Sequence, residues 1–533
     1  MKENRYEKVM LPLVSDLKDL VETGIVFRGR QHAVRLANLQ ADGLERNAQF
    51  GLCQSFARTS YSDPLTYLSC DTRIHCKDVA ELIKAAKNVR TKDTYYEDLN
   101  NLGFLELEKT RLSKAIKKAR LDHDPEEVVR LQQERGKLKT KFYYSRCMKY
   151  DSPFNALKDF HVTTPGALMN CMSHDLLSGC LRGDVARVLV TLCNKGFYTW
   201  KDLQRQFKLK TSQLKSDDKT NWYEILCEKN QFKQMPGQHA GNHAWVRFLP
   251  SFFVGKDPDD PMFRTTDWAM LLNMNRLMQL VSAKVLSDTN LEELVDVIYD
   301  YLKNKLKFKF EQAENAWLND PLTPKHVWIL NYLRLILCCG PLILMETNLA
   351  ESKNGDMRDF STKSNQTKNV PKTVTTRELV QHELHAWANR TPESPIEQEI
   401  SWKRLDENEK TKITAAGFLS EDVVVVKSTK KYGHVFKSAN RQVIVYLKNG
   451  KRCFGEILFL IRNKRSKKFT FLVQKLDAKI IPHIGVYACT QTEDTARVNF
   501  EDFLSSKPLN IYETTKHDET ELEYFVPHES FPF

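Results

Sequence analysis

Apolar and polar positions follow a helical period over most of the chain and change to a period of two near its C-terminal end. Residues 9–23, VMLPLVSDLKDLVET, carry apolar positions at helical spacing, which predicts a helix. HAVRLANLQAD, residues 32–42, alternates like a half-buried strand that ends at Asp42. From 151 to about 349 the pattern is mostly helical and rich in Leu and Trp. We therefore expect a mixed α/β core that is followed by a large helical region.

Residues 104–147 have the pattern of a charged helical pair. The pair is broken at DHDPEE, where Asp124 can cap a helix and Pro125 suits the first helical position. We interpret this segment as a solvated hairpin, and packing against a partner is the alternative interpretation.

Short β-branched and aromatic runs follow one another from about residue 420 onward. They include DVVVVKS, RQVIVYL, CFGEILFLI, KFTFLVQKL and GVYACTQ. LKNGK places Asn449 and Gly450 at a tight hairpin turn, whereas the polar run 352–375 has the composition of a loop. The C-terminal part therefore predicts a separate small β module, built as a barrel.

Composition and charge exclude several classes of protein. The 533 residues include 80 Lys+Arg and 68 Asp+Glu, and the net charge of +12 favours a polyanionic partner without demonstrating one. The 12 Cys are too scattered for a disulfide framework, which indicates a reducing compartment. MKENRYEKVM lacks a secretory apolar region, and the longest apolar run, LILCCGPLILM, is about half of a membrane span. Nothing resembles a P-loop, a Rossmann glycine pattern or a nucleophile elbow.

A cysteine and a histidine three positions apart are the first candidate for chemistry. ALMNCMSHDLLSG puts Cys171 and His174 at a helix start, where both side chains can face one Zn²⁺. Two further ligands could come from LSCDTRIHC, which contains Cys70 and Cys76, with His75 as a substitute. The alternative is that the pair is a buried small hydrophobe and a core imidazole.

Two carboxylates are the second candidate. Asp42 follows a predicted strand and precedes a glycine, a position from which it could bind a metal ion. Glu351 follows an apolar run at a predicted helix start. The alternative for each is a solvated surface position, and spacing alone does not join them.

Five motifs in the same order resemble those of eukaryotic DNA-transposon transposases. FNALKDFHVTTPGALMNCMSHDLLSG is similar to their FHVT…PPCxxHDLxEG, and ADGLERNAQFGLCQSF is similar to GDNLGxNxxxGFxESF. PLTPKHVWILNYLRLILCCGPLILMETNLAESKN is similar to LxPKHHxxxHYPxxIxxxGPLxxxWTxRFESKH. LPLVSDLKDLVETGI resembles the helix before the second catalytic strand, and SCDTRIHC stands where the family has a cysteine pair. The resemblance is to the CACTA-like DDE group, especially its animal branch, over about residues 9–390.

The resemblance implies an RNase H-like core with two kinds of metal site. Asp42 and Glu351 would be catalytic and would hold two Mg²⁺ ions, about 3.5–4 Å apart, for phosphodiester cleavage and strand transfer. A structural Zn²⁺ would be held by Cys70, Cys76, Cys171 and His174.

The chain also departs from the family. Leu349 and Asn354 stand where the family has Arg and His. The first catalytic Asp and the strands that precede the helix at 9–23 are not apparent. We therefore expect a partial RNase H-like core with impaired catalysis, as in a truncated copy or a domesticated descendant.

Together these patterns predict five segments in chain order. They are a partial core with the cysteine pair (1–100), a charged hairpin (101–150), a helical insertion (151–345), a Glu-bearing helix with a polar loop (346–418) and a β module (419–533). We expect a nuclear, transposase-derived protein that binds DNA, with a homodimer as a further option, no membrane and no small-molecule cofactor. The alternatives are a non-enzymatic DNA- or chromatin-binding protein, for which IRNKRSKKF offers a cationic turn, and a protein-interaction scaffold that uses 104–147.

Overall fold

The computed structural model describes the parts of the chain on which the following account depends. These are residues 5–27, 29–36, 39–40, 73, 76–87, 89–144, 151–169, 171–215, 218, 235, 239–311, 322–345, 398–402, 405–418, 422–431, 434–438, 440–466, 468–505, 507–514 and 522–531. The chain mixes helices with strands and carries a C-terminal antiparallel sheet, so the predicted α/β class is confirmed at this level.

The chain divides into two compact units, and each is built from two stretches of sequence. The first unit consists of Met1–Asp184 and Ile298–Thr347, and the second consists of Val185–Val297 and Asn348–Phe533. The strands of the predicted C-terminal module therefore share a unit with the helices of 185–297. None of the described helices combines the length and the apolar character needed to cross a bilayer.

Among the described residues, the first stretch of the first unit, Met1–Asp184, contains helices, two short strand pairs and one π-helix. The α-helices are α1 (Arg5–Thr23), α2 (Val79–Ala86), α3 (Lys92–Leu121) and α4 (Pro125–Tyr144). The strands are β1 (Ile25–Phe27), β2 (Arg30–His32), β3 (Leu39–Gln40) and β4 (Leu168–Met169). The π-helix spans Ser173–Leu181. The continuous strand predicted at 32–42 is instead divided, because β2 belongs to a hairpin with β1 and only β3 pairs with β4.

Local sequence accounts for the beginnings of α3 and α4. Thr91 and Thr94 form a reciprocal capping box, in which each backbone N–H donates to the other residue's hydroxyl at 3.2 and 2.9 Å. The Asp124 carboxylate accepts from the Glu127 backbone N–H at 3.0 Å and satisfies an amide at the start of α4. Pro125 occupies the first position of α4, as the sequence predicts.

A buried cluster joins α1, the first turns of α3 and the segment that leads to β4. Tyr95 is fully buried, and its hydroxyl accepts from the Ser152 backbone N–H at 2.9 Å. The buried members of the cluster are Val14, Tyr95, Leu102, Phe154, Leu157, Phe160, Val162 and Ala167. The partly buried Leu39 packs against them, so the Leu39 side chain anchors β3 to this core.

The second unit begins with helices and continues into strands. Its helical part contains α5 (Arg182–Asn194) from Val185 onward, α6 (Trp200–Gln213), α7 (His239–Phe248), α8 (Thr266–Val281) and the start of α9 (Asp288–Glu311). From Ile298 onward α9 belongs to the first unit, together with α10 (Pro324–Trp328) and α11 (Tyr332–Cys339). The short helix α12 (Glu407–Ala415) lies among the strands of the second unit in chain order.

Six strands of the second unit close into a ring. The strands are β5 (Gln398–Trp402), β6 (Val423–Lys431), β7 (His434–Lys437), β8 (Gln442–Lys448), β9 (Lys451–Asn463), β10 (Phe469–Ile481), β11 (Val486–Asn499), β12 (Leu509–Glu513) and β13 (Glu523–Phe525). Antiparallel pairing runs from β8 through β9, β10, β11, β13 and β12 and returns to β8. Closure satisfies both edges of these strands, as in a small barrel. Strand β6 pairs with the far end of β9, and β5 and β7 pair with β6.

Turn chemistry and aromatic packing hold this barrel together. Asn449 and Gly450 adopt φ values of 52° and 72° between β8 and β9, which is the left-handed turn that their sequence predicts. One core cluster gathers aromatic rings around the fully buried Phe471, whose ring centroid lies 4.7 Å from that of Phe500. Gly455 in β9 lies against Val473 of β10 so closely that a methyl group there would overlap it.

A buried arginine ties the helical part of the second unit to its strands. Arg247 of α7 donates to the backbone carbonyls of Val526 and Pro527 at 2.8 and 3.0 Å. It also pairs with the buried Asp218 carboxylate at 2.8 Å, and that carboxylate accepts from the Tyr512 hydroxyl at 2.6 Å. The pKa of Asp218 is lowered although burial opposes this, because Arg247 and the hydrogen bonds favour the charged form.

Candidate functional site

Cys171 and His174 lie directly after β4, at the entry of the π-helix. The Cys171 sulfur and the His174 Nδ1 atom are 3.0 Å apart, so the two side chains share one face, as their spacing predicts. Cys171 is buried, and His174 is half-buried. A thiol and an imidazole in contact can share a proton or can ligate a metal ion together.

Local backbone contacts hold this pair in place. The Asp175 backbone N–H donates to the Cys171 carbonyl at 2.9 Å. The Lys325 ammonium donates to the His174 carbonyl at 2.6 Å, so a residue of α10 fastens the first turn of the π-helix. This lysine passes over Gly179, where an added Cβ would lie 2.5 Å from its Cδ atom and 2.9 Å from the His174 carbonyl oxygen. A π-helix departs from ordinary α-helical hydrogen bonding and often marks a functional segment.

The other predicted site residues are only partly described. Cys76 is fully buried just before α2, and its thiol donates to the Arg73 carbonyl at 3.3 Å. Asp42, Cys70 and Glu351 lie outside the described residues. Within the described ranges, no group of three or more His, Cys, Asp or Glu side chains is arranged to hold a metal ion. Among the described candidates, the structure thus joins Cys171 with His174 and does not complete a three-ligand group with Cys76.

The donor types of the cysteine–histidine pair fit zinc, but its two donor atoms lie closer together than in a zinc site. Thiolate and imidazole are ordinary zinc ligands, with Zn–S about 2.3 Å and Zn–N about 2.0 Å, so a tetrahedral site holds the two donor atoms about 3.5 Å apart. The observed 3.0 Å is the distance of a direct contact between sulfur and nitrogen. The donor types fit zinc, and coordination requires the two atoms to separate by about 0.5 Å.

A second polar centre in the first unit surrounds the fully buried Asp184. Its carboxylate accepts from the Tyr301 hydroxyl and the Lys305 ammonium, each at 2.6 Å, and from His326 Nε2 at 3.1 Å. These three donors are distant in sequence from the carboxylate that they contact. Nothing in the local pattern predicts their meeting, and the only sequence signal is that His326 lies in a family-like motif.

The hydrogen bonds of His326 define its tautomer. The Thr323 backbone N–H donates to His326 Nδ1 at 3.0 Å. Because Nδ1 accepts, the proton is on Nε2, which donates it to Asp184. His326 is therefore a hydrogen-bonding residue of the Asp184 centre.

The histidine of the other family-like motif is also a hydrogen-bonding residue. His161 Nδ1 accepts from the Thr163 backbone N–H at 3.2 Å, and its ring contacts the Tyr95 ring edge to face at 5.1 Å. Burial lowers the pKa of His161, because an apolar environment disfavours the imidazolium form.

No family model, curated protein or solved structure matches the chain. The relationship expected from the five motifs stays a prediction.

Proposed function

We propose that the chain is a DDE transposase-like protein that binds DNA, and that its first unit is a partial RNase H-like core. The observation that carries this proposal is the parallel pairing of β3 with β4, in which Leu39 aligns with Leu168 and Gln40 with Met169. β3 leads toward Asp42, and β4 leads directly to Cys171. Parallel neighbours end at the same edge of a sheet, so the catalytic and metal motifs of the family would emerge side by side.

The order of elements also supports the proposal. A helix, α1, comes before β3, and a long helical region follows the π-helix before the chain reaches Glu351. This is the order that the resemblance to CACTA-like transposases implies for the second catalytic Asp, the insertion and the catalytic Glu. In such a site Asp42 and Glu351 would hold Mg²⁺, which when bound supplies Lewis-acid chemistry for phosphodiester cleavage and strand transfer.

A structural zinc site is part of the same proposal. Its ligands would be Cys70, Cys76, Cys171 and His174, with Zn²⁺ joining the segment before α2 to the start of the π-helix. The zinc would perform no chemistry and would stabilise the fold. Zinc analysis of the purified chain should find about one metal ion per chain. We expect Cys171→Ser to lose it and Cys453→Ser, in the barrel, to keep it.

Duplex DNA is the proposed partner, and the nucleus is the proposed location. The test is fluorescence anisotropy of a labelled duplex titrated with the full chain at several salt concentrations. Binding that weakens steeply with salt supports the proposal, because contacts to phosphates release counterions. A chain that does not bind duplex DNA even at about 50 mM salt would contradict it.

The carboxylate assignment needs a separate test. Because the first catalytic Asp is not apparent, the chain should cleave duplex DNA weakly or not at all in the presence of Mg²⁺. Robust cleavage that disappears in Asp42→Ala and persists in Asp16→Ala, an exposed aspartate of α1, would support the role of Asp42 and would overturn the expectation of impaired catalysis. Equal cleavage by the two variants would remove Asp42 from the proposed site and would leave the proposal of DNA binding standing.

One observation favours the alternative of a protein-interaction scaffold. Phe104 and Leu107 of α3 are 68% and 73% exposed and lie one helical turn apart. Exposed apolar side chains of this size are typical of contact surfaces. If the scaffold role is correct, the double variant Phe104→Ser/Leu107→Ser loses self-association in sedimentation experiments while its DNA affinity is unchanged.

A further inference from the structure

Four cationic side chains of α3 contact no carboxylate in the part of the chain that the structure describes. They lie within seven residues near the end of the helix, and all four are exposed. Among the described residues, none of them is within ion-pair distance of an Asp or Glu side chain. We name this group the cationic face, and it consists of Lys114, Lys117, Lys118 and Arg120.

Neighbouring charges of the α3–α4 hairpin are paired in a different way. Arg111 donates to the Glu108 carboxylate at 2.8 Å, and Arg130 donates to Glu127 at 2.6 Å. Glu134 lies within 4 Å of both arginines. These three carboxylates are thus engaged by the two arginines. No acidic residue lies between positions 109 and 121, and the acids of the following turn lie beyond the end of α3.

Along the stretch that carries the cationic face, the apolar side of α3 is already in use. Leu112, Ile116 and Ala119 are buried, and they pack with Leu131 of α4 in the hairpin core. A helix that binds a lipid surface needs its apolar side for insertion. Because this side faces α4, the cationic face is better suited to phosphates in solution than to a membrane.

The dimensions of the cationic face fit a nucleic-acid backbone. From Lys114 to Arg120 the helix advances about 9 Å, while one DNA strand carries a phosphate every 3.4 Å along the helix axis. The face can therefore meet two or three successive phosphates of one strand. Lysine ammonium groups on flexible stems provide charge without a fixed geometry for base edges.

We propose that the cationic face binds the phosphate backbone of duplex DNA and does not read its sequence. This inference rests on the proposed DNA-binding function and adds the surface through which part of the binding energy is supplied. Its contribution is electrostatic, so it is largest at low salt and disappears as salt rises.

The test compares the full chain with a variant in which all four residues of the cationic face are replaced by Gln. Each lost phosphate contact reduces the slope of log affinity against log salt by about 0.9. For the two or three phosphates that the face can meet, the unmodified chain should therefore lose roughly 10- to 40-fold more affinity than the variant between about 50 and about 200 mM salt. The reduction should be the same for two duplexes of unrelated sequence.

The matched control replaces four other exposed lysines with Gln and so lowers the net charge by the same amount. These lysines are Lys84, Lys87, Lys201 and Lys303. Circular dichroism of both variants checks that helical content is retained. The proposal predicts that the control keeps the salt slope of the unmodified chain.

The possible outcomes separate this inference from the proposed function. An unchanged slope in the variant, or an equal change in variant and control, overturns the role of the cationic face while DNA binding stands. Binding of the variant to anionic lipid vesicles is measured as well. If the variant loses vesicle binding while its slope of log DNA affinity against log salt is unchanged, the inference is overturned, because the cationic face would then bind a membrane. If the unmodified chain does not bind DNA at all, the proposed function fails first.

Discussion

Removing the negative charge of Asp184 should strongly destabilise the first unit. Its carboxylate is fully buried, and the Lys305 ammonium beside it is only 1% exposed. Asp184→Asn preserves the volume of the side chain but removes the negative charge that the buried lysine contacts at 2.6 Å. Loss of one partner of such a pair costs about 3–5 kcal/mol, because the remaining ion has neither water nor its counter-charge.

A second variant isolates the cause. In Asp184→Asn/Lys305→Met both charges are gone, so neither member of the pair is left without the other. Replacing a buried pair by neutral groups is often nearly neutral in free energy of unfolding. We expect the double variant to recover at least about 2 kcal/mol of the loss. Glu407→Gln, which breaks an exposed ion pair in α12, is a control and should change nothing measurable.

The assay must report on the first unit alone, because a chain with two compact units does not guarantee a single unfolding transition. Hydrogen–deuterium exchange with mass spectrometry, followed in increasing urea, gives opening free energies for individual peptides. The informative peptides cover 298–306 and 322–335. The reasoning would be refuted if Asp184→Asn lowered the opening free energy of these peptides by less than about 1 kcal/mol. It would also be refuted if the double variant were no more stable than the single variant.

Three further predictions concern single contacts. Burial holds the pKa of His528 well below its usual range, so the folded state binds fewer protons. As pH falls below about 6.5 the second unit should lose stability in urea titrations, and His528→Gln should reduce the slope of unfolding free energy against pH by about 1.4 kcal/mol per pH unit. Gly455→Ala would place a Cβ 2.6 Å from Val473 Cγ2. Thermal denaturation should show that this variant lowers the free energy of unfolding by about 1–3 kcal/mol. Adding Val473→Ala should remove the overlap and recover part of that loss. Gly179→Ala should displace Lys325, visible as faster amide exchange across 173–181, and Lys325→Ala should add little to it.

Sequence patterns predicted the features that depend on neighbouring residues. The Asn449-Gly450 turn, the start of α4 at Pro125 and the contact between Cys171 and His174 all follow from local backbone preference or helical spacing. These features need no knowledge of the rest of the fold. For the candidate site, local spacing accounts for the pair and for nothing beyond it.

Features that join distant segments could not be predicted in this way. The partners of Asp184 are set by packing between α9, α10 and the chain at the end of the π-helix, and no local period encodes that meeting. The strand expected at 32–42 became two short pieces because pairing partners, and not alternation alone, define a strand. The pairing of β3 with β4 likewise depends on residues 129 positions apart, from Leu39 to Leu168.

The divided first unit has a consequence for biosynthesis. Asp184 is translated 117 residues before its hydrogen-bond partner Tyr301. At about 5–20 residues per second, the ribosome needs about 6–23 s to deliver that partner. During this interval Asp184 lacks its native partners Tyr301 and Lys305, so its segment cannot reach its native packing, and apolar side chains that later become interior stay exposed. A message that ends before codon 298 would therefore yield a client for chaperones and proteases, and not a smaller functional protein.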